Sequence, residues 1–470
     1  MKRTVTAFIA AVALLCSSMA WAAATITIVN GDPDGVGFND ATPVAPAGGN
    51  AGTTLGAQRL NAFQAAASKW GGTLTSSVPI RILATWEALP CSDGGAVLGS
   101  AGALEVFSDF AGAPVANAWF SKAEANKYLG TDIDPDSPDI RARFNVNLGQ
   151  PGCFTGVPFY LGLDNNHGPL VDLVTVLEHE FAHGFGFQTY TDSETGEQLG
   201  GIPSIWDYFL LDTSTGKLWK DMSDAERVAS ALKSGKLAWN GAIVNQAAQA
   251  VLQQGTPVLT VLAPAGIAGI MQVGTASFGP PLASPGVTGE VMPVIDAPPG
   301  QGLACDPLSP ANALAVRGRI ALIDRGTCTF VVKVRHAQDA GAIGVIIADN
   351  TAGAPPPGLG GTDTSIVIPA VRVTLDDGKR LKSALATRSR THSGVFANLG
   401  VNLAIRAGTD AAGRVLMYAP DPNQPGSSVS HYDVSAFPNQ LMEPSINGDL
   451  THEVTPPRDL TFPLLRDIGW

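Results

Sequence analysis

The chain has 470 residues, of which 45% are hydrophobic and 15% are charged. This length and composition are typical of a folded protein of two or three domains and exclude an intrinsically disordered chain. Acidic residues outnumber basic ones by 41 to 29, for a formal net charge of −12, which argues against nucleic acid or an anionic membrane surface as a partner.

Residues 1–22 have the pattern of a secretory signal peptide. Lys2 and Arg3 precede an apolar stretch, and Ala20-Trp21-Ala22 supplies a small-x-small cleavage site. Cleavage after Ala22 predicts a secreted or periplasmic protein. No later segment is long and apolar enough to predict a membrane span.

Four cysteines follow this leader: Cys91, Cys153, Cys305 and Cys328. An even number of cysteines in an exported chain predicts disulfide bonds. Three pairings are possible. We expect Cys91 to pair with Cys153 and Cys305 with Cys328, because each pair then lies within one predicted domain.

The run LVDLVTVLEHEFAHGFGF, residues 170–187, carries the main chemical signal of the chain. Its apolar residues recur with the period of a helix, and that helix places His179 and His183 on one face, opposite the apolar stripe. Two imidazoles four residues apart on a helix can bind one metal ion, with Glu180 beside them as general base for a zinc-activated water. The alternative is two surface histidines that have this spacing by chance.

The elements around this helix predict an α+β domain. A strand is predicted at 25–29, a helix at 60–70 and a strand at 78–86. Residues 141–148 alternate polar and apolar, which predicts either an edge strand that could pair with an extended peptide or an ordinary half-buried strand. After the metal helix, we expect helices at 205–211 and 224–232 and a strand at 237–244.

Residues 131–139 (TDIDPDSPD) are acidic enough to suggest a Ca²⁺ site. Against an EF-hand pattern, however, Ser137 occupies the glycine position and no glutamate follows at the twelfth position. A solvated acidic loop is the alternative interpretation.

The composition of the sequence changes between residues 259 and 407, where charged residues are sparse and glycine and proline are frequent. A strand at 320–323, a helix at 330–340 and a strand at 343–348 predict a small α/β module. Its glycine-rich run at 355–361 is expected to be an exposed loop, because neither a lysine nor a helix start follows it. Residues 408–470 are too few for a domain, so we expect them to return to the first domain and leave the module as an insertion.

A catalytic zinc usually has three protein ligands. The run up to Gly186 resembles the HExxHxxG motif of the metzincin proteases, but Thr189 stands where those enzymes have a third histidine. His431, in Ser-His-Tyr-Asp and followed by Met442, resembles leishmanolysin-like metalloproteases, which supply the third histidine and a methionine turn after a long insertion. The resemblance implies that His431 is the third ligand and that Met442 lies beneath the metal. The alternative is a loop histidine and an ordinary core methionine.

The module also resembles a known family, the protease-associated (PA) domains. The resemblance rests on GRIALIDRGTCTF at 318–330, AGA at 340–342, ADN at 348–350 and IPA at 368–370. Such domains accompany secreted peptidases as lids or substrate-recruiting modules. Together the resemblances imply an α+β, metzincin-like zinc protease domain, with a mixed sheet and an active-site helix, interrupted by an inserted α/β PA domain. The implied division is 1–22, 23–258, 259–407 and 408–470.

The expected function is therefore that of a secreted zinc endopeptidase with one catalytic Zn²⁺ and a polypeptide substrate. Two alternatives remain open. One is a gluzincin-like peptidase whose third ligand is a carboxylate. The other is a PA-domain binding protein in which a fourth ligand closes a structural zinc site, and His167 is the nearest candidate for that ligand.

Overall fold

The structure is a computed structural model that describes residues 23–296 and 302–470, so the expected signal peptide lies outside the described residues. Within these ranges no helix is long and apolar enough to cross a membrane. The α-helices are α1 (Leu55–Thr73), α2 (Lys122–Leu129), α3 (Leu173–Gly184), α4 (Asp224–Ala231), α5 (Ala242–Val251), α6 (Pro310–Val316), α7 (Phe330–Asp339), α8 (Leu375–Ala384) and α9 (Thr461–Ile468).

The strands that precede α5 build a main sheet and several short ribbons. They are β1 (Ile26–Asn30), β2 (Ile80–Glu87), β3 (Cys91–Ser92), β4 (Gly95–Ala96), β5 (Gly99–Ala103), β6 (Val106–Phe107), β7 (Phe120–Ser121), β8 (Ile140–Asn145), β9 (Phe159–Tyr160), β10 (Val171–Asp172), β11 (Leu210–Asp212), β12 (Lys217–Leu218) and β13 (Leu237–Trp239). The main sheet has the order β1-β2-β8-β5. Its first three strands are parallel and β5 is antiparallel.

This order corrects one expectation about the sheet. Strand β8 lies between β2 and β5, so the interpretation of residues 141–148 as an edge strand is wrong. The edge strands are β1 and β5, and the sequence of β5, GSAGA, has none of the β-branched or aromatic residues that favour strands. Its partner β8 supplies the hydrogen bonds that hold it in the sheet.

Helices α1 and α3 pack together on one face of the main sheet. Ile140 and Phe144 of β8 point to the same face because side chains alternate along a strand. The ring of Phe63 from α1 lies 4.9 Å from Phe144 and 6.0 Å from Phe181 of α3, measured between centroids. At the other end of α3, a Cβ on Gly184 would lie 2.5 Å from Ile140, so glycine allows the helix to cross the sheet closely.

The later strands form a second, eight-stranded sheet of order β15-β14-β21-β17-β18-β19-β20-β16. They are β14 (Gln254–Ala263), β15 (Gly269–Gln272), β16 (Gly274–Thr275), β17 (Val287–Pro293), β18 (Ile320–Asp324), β19 (Gly344–Ala348), β20 (Ala370–Val373) and β21 (Phe396–Arg406). Strands β17 to β20 are parallel, and β18, β19 and β20 are almost entirely buried, as parallel strands covered on both faces are.

The buried apolar side chains of the described residues form three main clusters. One draws on residues 24–252 and again on residues 415–470. The other two draw on residues 259–399. Helix α9 packs against α5, so the last segment of the chain completes the core that the first segment began.

Both expected disulfide bonds form. Cys91 is bonded to Cys153, and Cys305 is bonded to Cys328. Each bond ties together residues that lie on the same side of the boundary between the two sheets. The expected pairing is therefore confirmed.

The acidic residues 131–139 give no support to a calcium site. The ammonium of Lys122, fully buried, donates to the carbonyl oxygens of Asp134 at 2.7 Å and Ser137 at 2.8 Å, and lies 3.4 Å from Glu105. Carbonyl oxygens of this loop thus bind the ammonium group of the protein's own Lys122.

Two local expectations differ from the structure, and one helix was not expected at all. The helix expected at 205–211 is a 3₁₀ turn, Ile205–Tyr208, that runs into β11, and the strand expected at 237–244 is β13 followed at once by α5. Helix α2 was not expected, although Ser121 and Glu124 form a capping box, a signal that the sequence does contain.

Candidate metal centre

Helix α3 begins and ends at defined residues. The carboxylate of Asp172 accepts the backbone N–H of Thr175 at 2.8 Å and so caps the first turn. The helix ends just before Gly186, whose φ of +110° favours glycine. A Cβ on Gly186 would lie 2.6 Å from a carboxylate oxygen of Glu124. These two constraints define where α3 ends, and His183 lies in its last turn.

Three histidines converge at this helix. The Nε2 atoms of His179, His183 and His431 lie 3.2 Å from one another in all three pairs. The three side chains are between 4% and 8% exposed. Among the described residues this is the one group of His, Cys, Asp or Glu side chains with the geometry to hold a metal ion. Helix α3 brings two of them together, and a loop that follows the second sheet supplies His431.

The other ring nitrogen of each histidine has a backbone partner. The Nδ1 of His179 lies 2.7 Å from the carbonyl oxygen of Leu441, that of His183 lies 2.8 Å from Phe187 O, and that of His431 lies 2.8 Å from Ser427 O. A carbonyl oxygen can only accept, so Nδ1 carries the proton in each ring and the Nε2 lone pairs all face the same point.

This arrangement fits zinc. Zinc bonded to imidazole at about 2.05 Å with tetrahedral angles requires nitrogen atoms about 3.3 Å apart, close to the separation found. Carbonyl acceptors that orient ligand imidazoles through Nδ1 are the usual outer contacts of such sites. The three residues present therefore match the donor set, tautomer and spacing of a zinc site that keeps a fourth position open.

Burial controls the charge of these side chains. It lowers the pKa of His179 to about 4 and that of His183 to about 3, and it holds the pKa of His431 well below its usual value. The imidazoles are therefore neutral at neutral pH, as metal ligands must be. Burial also raises the pKa of the Glu180 carboxyl to about 8, opposed by a hydrogen bond from the Ala101 backbone.

The three histidines and Glu180 lie in a cleft with a volume of about 1060 Å³. Strand β5 forms one wall, and residues 425–428 and 444–448 contribute to the others. The lining includes the acidic side chains of Asp172, Asp192 and Glu194 and contains no lysine or arginine.

The remaining site candidates lie close by. Met442 is fully buried, and its carbonyl oxygen accepts the N–H of Tyr432 at 2.8 Å. Thr189, at the position of the third histidine in the short motif, donates instead to Asp207 at 2.7 Å. His167 lines the cleft, but its Nδ1 is paired with Leu170 O and the residue lies outside the group of three.

Sequence reasoning did not find the backbone groups that complete the site. The carbonyl groups of Leu441, Phe187 and Ser427 orient the histidines, and β5 borders the cleft. Every residue has a carbonyl group, so no residue type marks these positions. Only the fold identifies them.

Residues 287–381 match the PA domain family. A probable lipoprotein aminopeptidase, LpqL, of Mycobacterium tuberculosis (strain ATCC 25618 / H37Rv) is 39% identical over 97 residues, which are 21% of this chain and 19% of that protein. The minor extracellular protease Vpr of Bacillus subtilis (strain 168) is 30% identical over 118 residues, 24% of this chain and 14% of the relative.

Among solved structures, the aminopeptidase from Aneurinibacillus sp. strain AM-1 is 29% identical, with a TM-score of 0.24 over 31% of this chain and 30% of that one. This chain spans only 19% of the length of LpqL and 14% of the length of Vpr. It contains a PA domain, and of the two relatives LpqL and Vpr the first is a probable aminopeptidase and the second an extracellular protease.

Proposed function

We propose that this protein is a secreted zinc-dependent endopeptidase. The observation that carries the proposal is the convergence of three neutral Nε2 atoms at 3.2 Å, each from a ring whose Nδ1 is held by a carbonyl oxygen. We further propose a metzincin-like protease domain made of residues 23–258 and 408–470, with a PA domain inserted at 259–407. The shared apolar core of residues 24–252 and 415–470 supports this division.

In this proposal His179, His183 and His431 hold the metal, and Met442 forms the methionine turn beneath it. A zinc ion bound there supplies a Lewis acid that polarises the scissile carbonyl and makes water acidic enough to react near neutral pH. A cation held by the three histidines would lower the pKa of the neighbouring Glu180 carboxyl and so offset the effect of burial. In its ionised form Glu180 would accept a proton from water and pass it to the leaving amine.

Strand β5 supports cleavage within a chain rather than at its end. It is one of the two edge strands of the main sheet and lines the cleft, so an extended polypeptide can lie beside it and pair through backbone groups. Such pairing does not need a free terminus. The name of LpqL makes an aminopeptidase the second candidate.

Two further features speak against the remaining alternatives. No carboxylate belongs to the group of three histidines, which argues against a gluzincin-like site. The group has three members rather than four in the part of the chain that the structure describes, which argues against a closed structural zinc site.

The proposed general base is tested by Glu180→Gln. We expect the variant to bind zinc as the parent protein does and to lose about 10²- to 10⁴-fold in kcat on an unfolded protein substrate. Glu178→Gln is the matched control, since Glu178 lies on the same helix but does not line the cleft. An E180Q protein with the parent's rate would overturn the assigned role.

The mode of cleavage is tested with an internally quenched peptide whose amino terminus is acetylated. An endopeptidase cleaves it, and the products locate the bond. Release of single residues from free amino termini only, with the acetylated peptide left intact, would instead make the protein an aminopeptidase.

A further inference from the structure

The loop that precedes His431, residues 419–430, both carries and shapes the metal centre. At its base, Tyr418 N–H donates to His431 O and Val429 N–H donates to Tyr418 O, each at 2.8 Å. Residues 425–428 line the cleft, and Ser427 O holds the imidazole of His431. The position of this loop therefore sets both the width of the cleft and the orientation of one proposed zinc ligand.

The PA domain reaches this loop through backbone hydrogen bonds. Ala354 N–H donates to Asp421 O at 2.9 Å, and Asp421 N–H donates to Ala354 O at 2.7 Å. These reciprocal bonds form an antiparallel bridge between the two parts of the chain. Gly353 makes the bridge possible, because a Cβ there would lie 2.8 Å from Asp421 O and the residue has a φ of +141°.

The PA side of the bridge is firmly anchored. Asp349, at the end of β19, is buried and receives hydrogen bonds from Arg325 at 2.9 Å and Arg372 at 2.7 Å. The same carboxylate accepts the N–H of Thr351 at 3.1 Å. Charge-assisted bonds of this kind are strong when buried, so the chain leading to Ala354 moves with the PA core.

We infer that the PA domain positions the third zinc ligand and the adjoining cleft wall through the bridge between Ala354 and Asp421. The inference rests on the proposed zinc site. The path runs from Asp349 along the chain to Ala354, across the bridge to Asp421, and along the loop to Ser427, whose carbonyl oxygen holds His431. A protein segment bound to the PA domain can thus alter the metal centre through the same path, and Gly353 and Ala354 are positioning residues of the peptidase.

The test compares two alanine substitutions in one loop of the full-length protein. Gly353→Ala places a Cβ against Asp421 O, whereas Gly360→Ala, the matched control, meets no atom within 4 Å. The first readout is the zinc dissociation constant from competition with a chromophoric chelator. The second is amide hydrogen exchange of residues 421–431 in the metal-free protein.

For Gly353→Ala we expect roughly tenfold weaker zinc binding, at the lower end of the loss typical of outer contacts of metal ligands. The loss is limited because Asn423 still bonds Ser193 and anchors the loop. Exchange in residues 421–431 should be faster, and KM should rise more than kcat falls, since residues 425–428 line the cleft. Gly360→Ala should match the parent protein in every readout.

Unchanged zinc affinity and unchanged exchange in a folded Gly353→Ala protein would overturn the inference. If that variant does not fold, Ala354→Pro serves instead, because it removes the N–H that Asp421 O accepts and puts the proline Cδ in its place, so the bridge cannot form. Failure of the parent protein to bind zinc would refute the proposed function separately, while the exchange measurement would still decide whether the bridge positions the loop.

Discussion

At the scale of single residues, the proposed metal centre depends on groups of two kinds. The imidazoles and Glu180 are visible in the sequence, because their residue types and spacing indicate their chemistry. The carbonyl oxygens that orient them, such as Leu441 O for His179, come from backbone positions that any residue could supply. Only the resemblance to a family motif predicts His431 as a ligand, because no local rule links it to a histidine 248 residues away on α3.

Gly186 is a second residue whose type the local structure dictates. Its φ is +110°, and a Cβ would lie 2.6 Å from Glu124. We expect Gly186→Ala to lower the free energy of unfolding by about 2 kcal/mol or more, because it adds backbone strain and a clash. Urea denaturation measures the change.

Gly72, near the end of α1, is the control for Gly186. A Cβ there meets no atom within 4 Å, and alanine is the better helix former by about 1 kcal/mol. Gly72→Ala should therefore leave the protein as stable as before or more so. Equal losses in the two variants would show that glycine is not specifically required at the end of the metal helix.

At the scale of elements, the sequence predicted those that have a strong internal pattern. Helices α1 and α3 and strand β2 have regular apolar periodicity, and all three form near their expected positions. Strand β5 has no such pattern, since its place at the sheet edge depends on pairing with β8. An edge is a property of the assembled sheet, so residues 141–148 could not reveal by themselves that they lie inside it.

The loop at 131–139 shows how one distant side chain changes the meaning of a local motif. The ammonium of Lys122 donates hydrogen bonds to two carbonyl oxygens of this loop. We expect millimolar Ca²⁺ to leave the melting temperature unchanged and Lys122→Met to lower the unfolding free energy by about 2 kcal/mol, since it leaves half-buried carbonyl acceptors without their ammonium partner. Calorimetry measures both effects.

Lys220→Met is the control for this loop, because Lys220 forms an ion pair with Asp221, a more exposed partner. Its effect should stay below about 1 kcal/mol. A clear rise in melting temperature with Ca²⁺ in the parent protein would contradict our interpretation of residues 131–139 and restore the calcium expectation.

At the scale of the whole molecule, the two ends of the described chain share one core. Residues 415–470 pack with residues 24–252, while residues 259–399 form cores of their own. The sequence indicated this arrangement through the apolar tail at 460–470, which needed something to pack on. It could not indicate the bridge between Ala354 and Asp421, because backbone contacts between distant segments leave no trace in residue type.

Stability should also depend on pH through buried carboxyl groups. Burial raises the pKa of Glu124 to about 8, whereas the unfolded chain releases this proton near its usual value of 4.5. Between these values the folded state binds more protons, so stability falls as pH rises, by up to about 1.4 kcal/mol per pH unit. Buried histidines have the opposite effect below pH 6.5, so we choose the window from 6.5 to 8.

Glu124→Gln removes the titrating group with little change in shape. We expect its unfolding free energy to fall less steeply than the parent's between pH 6.5 and 8 in urea titrations. Glu443, whose pKa burial also raises to about 8, keeps part of the slope in the variant. Parallel pH profiles for the two proteins would show that Glu124 is already ionised in the folded state.

The central claim is that histidines from two distant parts of the chain form one zinc site. The most direct test is zinc stoichiometry of the purified protein and of His431→Ala, with His167→Ala as the control, a cleft histidine outside the group of three. We expect one tightly bound zinc in the parent and in His167→Ala, and loss of that zinc together with chelator-sensitive peptide hydrolysis in His431→Ala. Zinc retained at full affinity by a folded His431→Ala protein would contradict the claim.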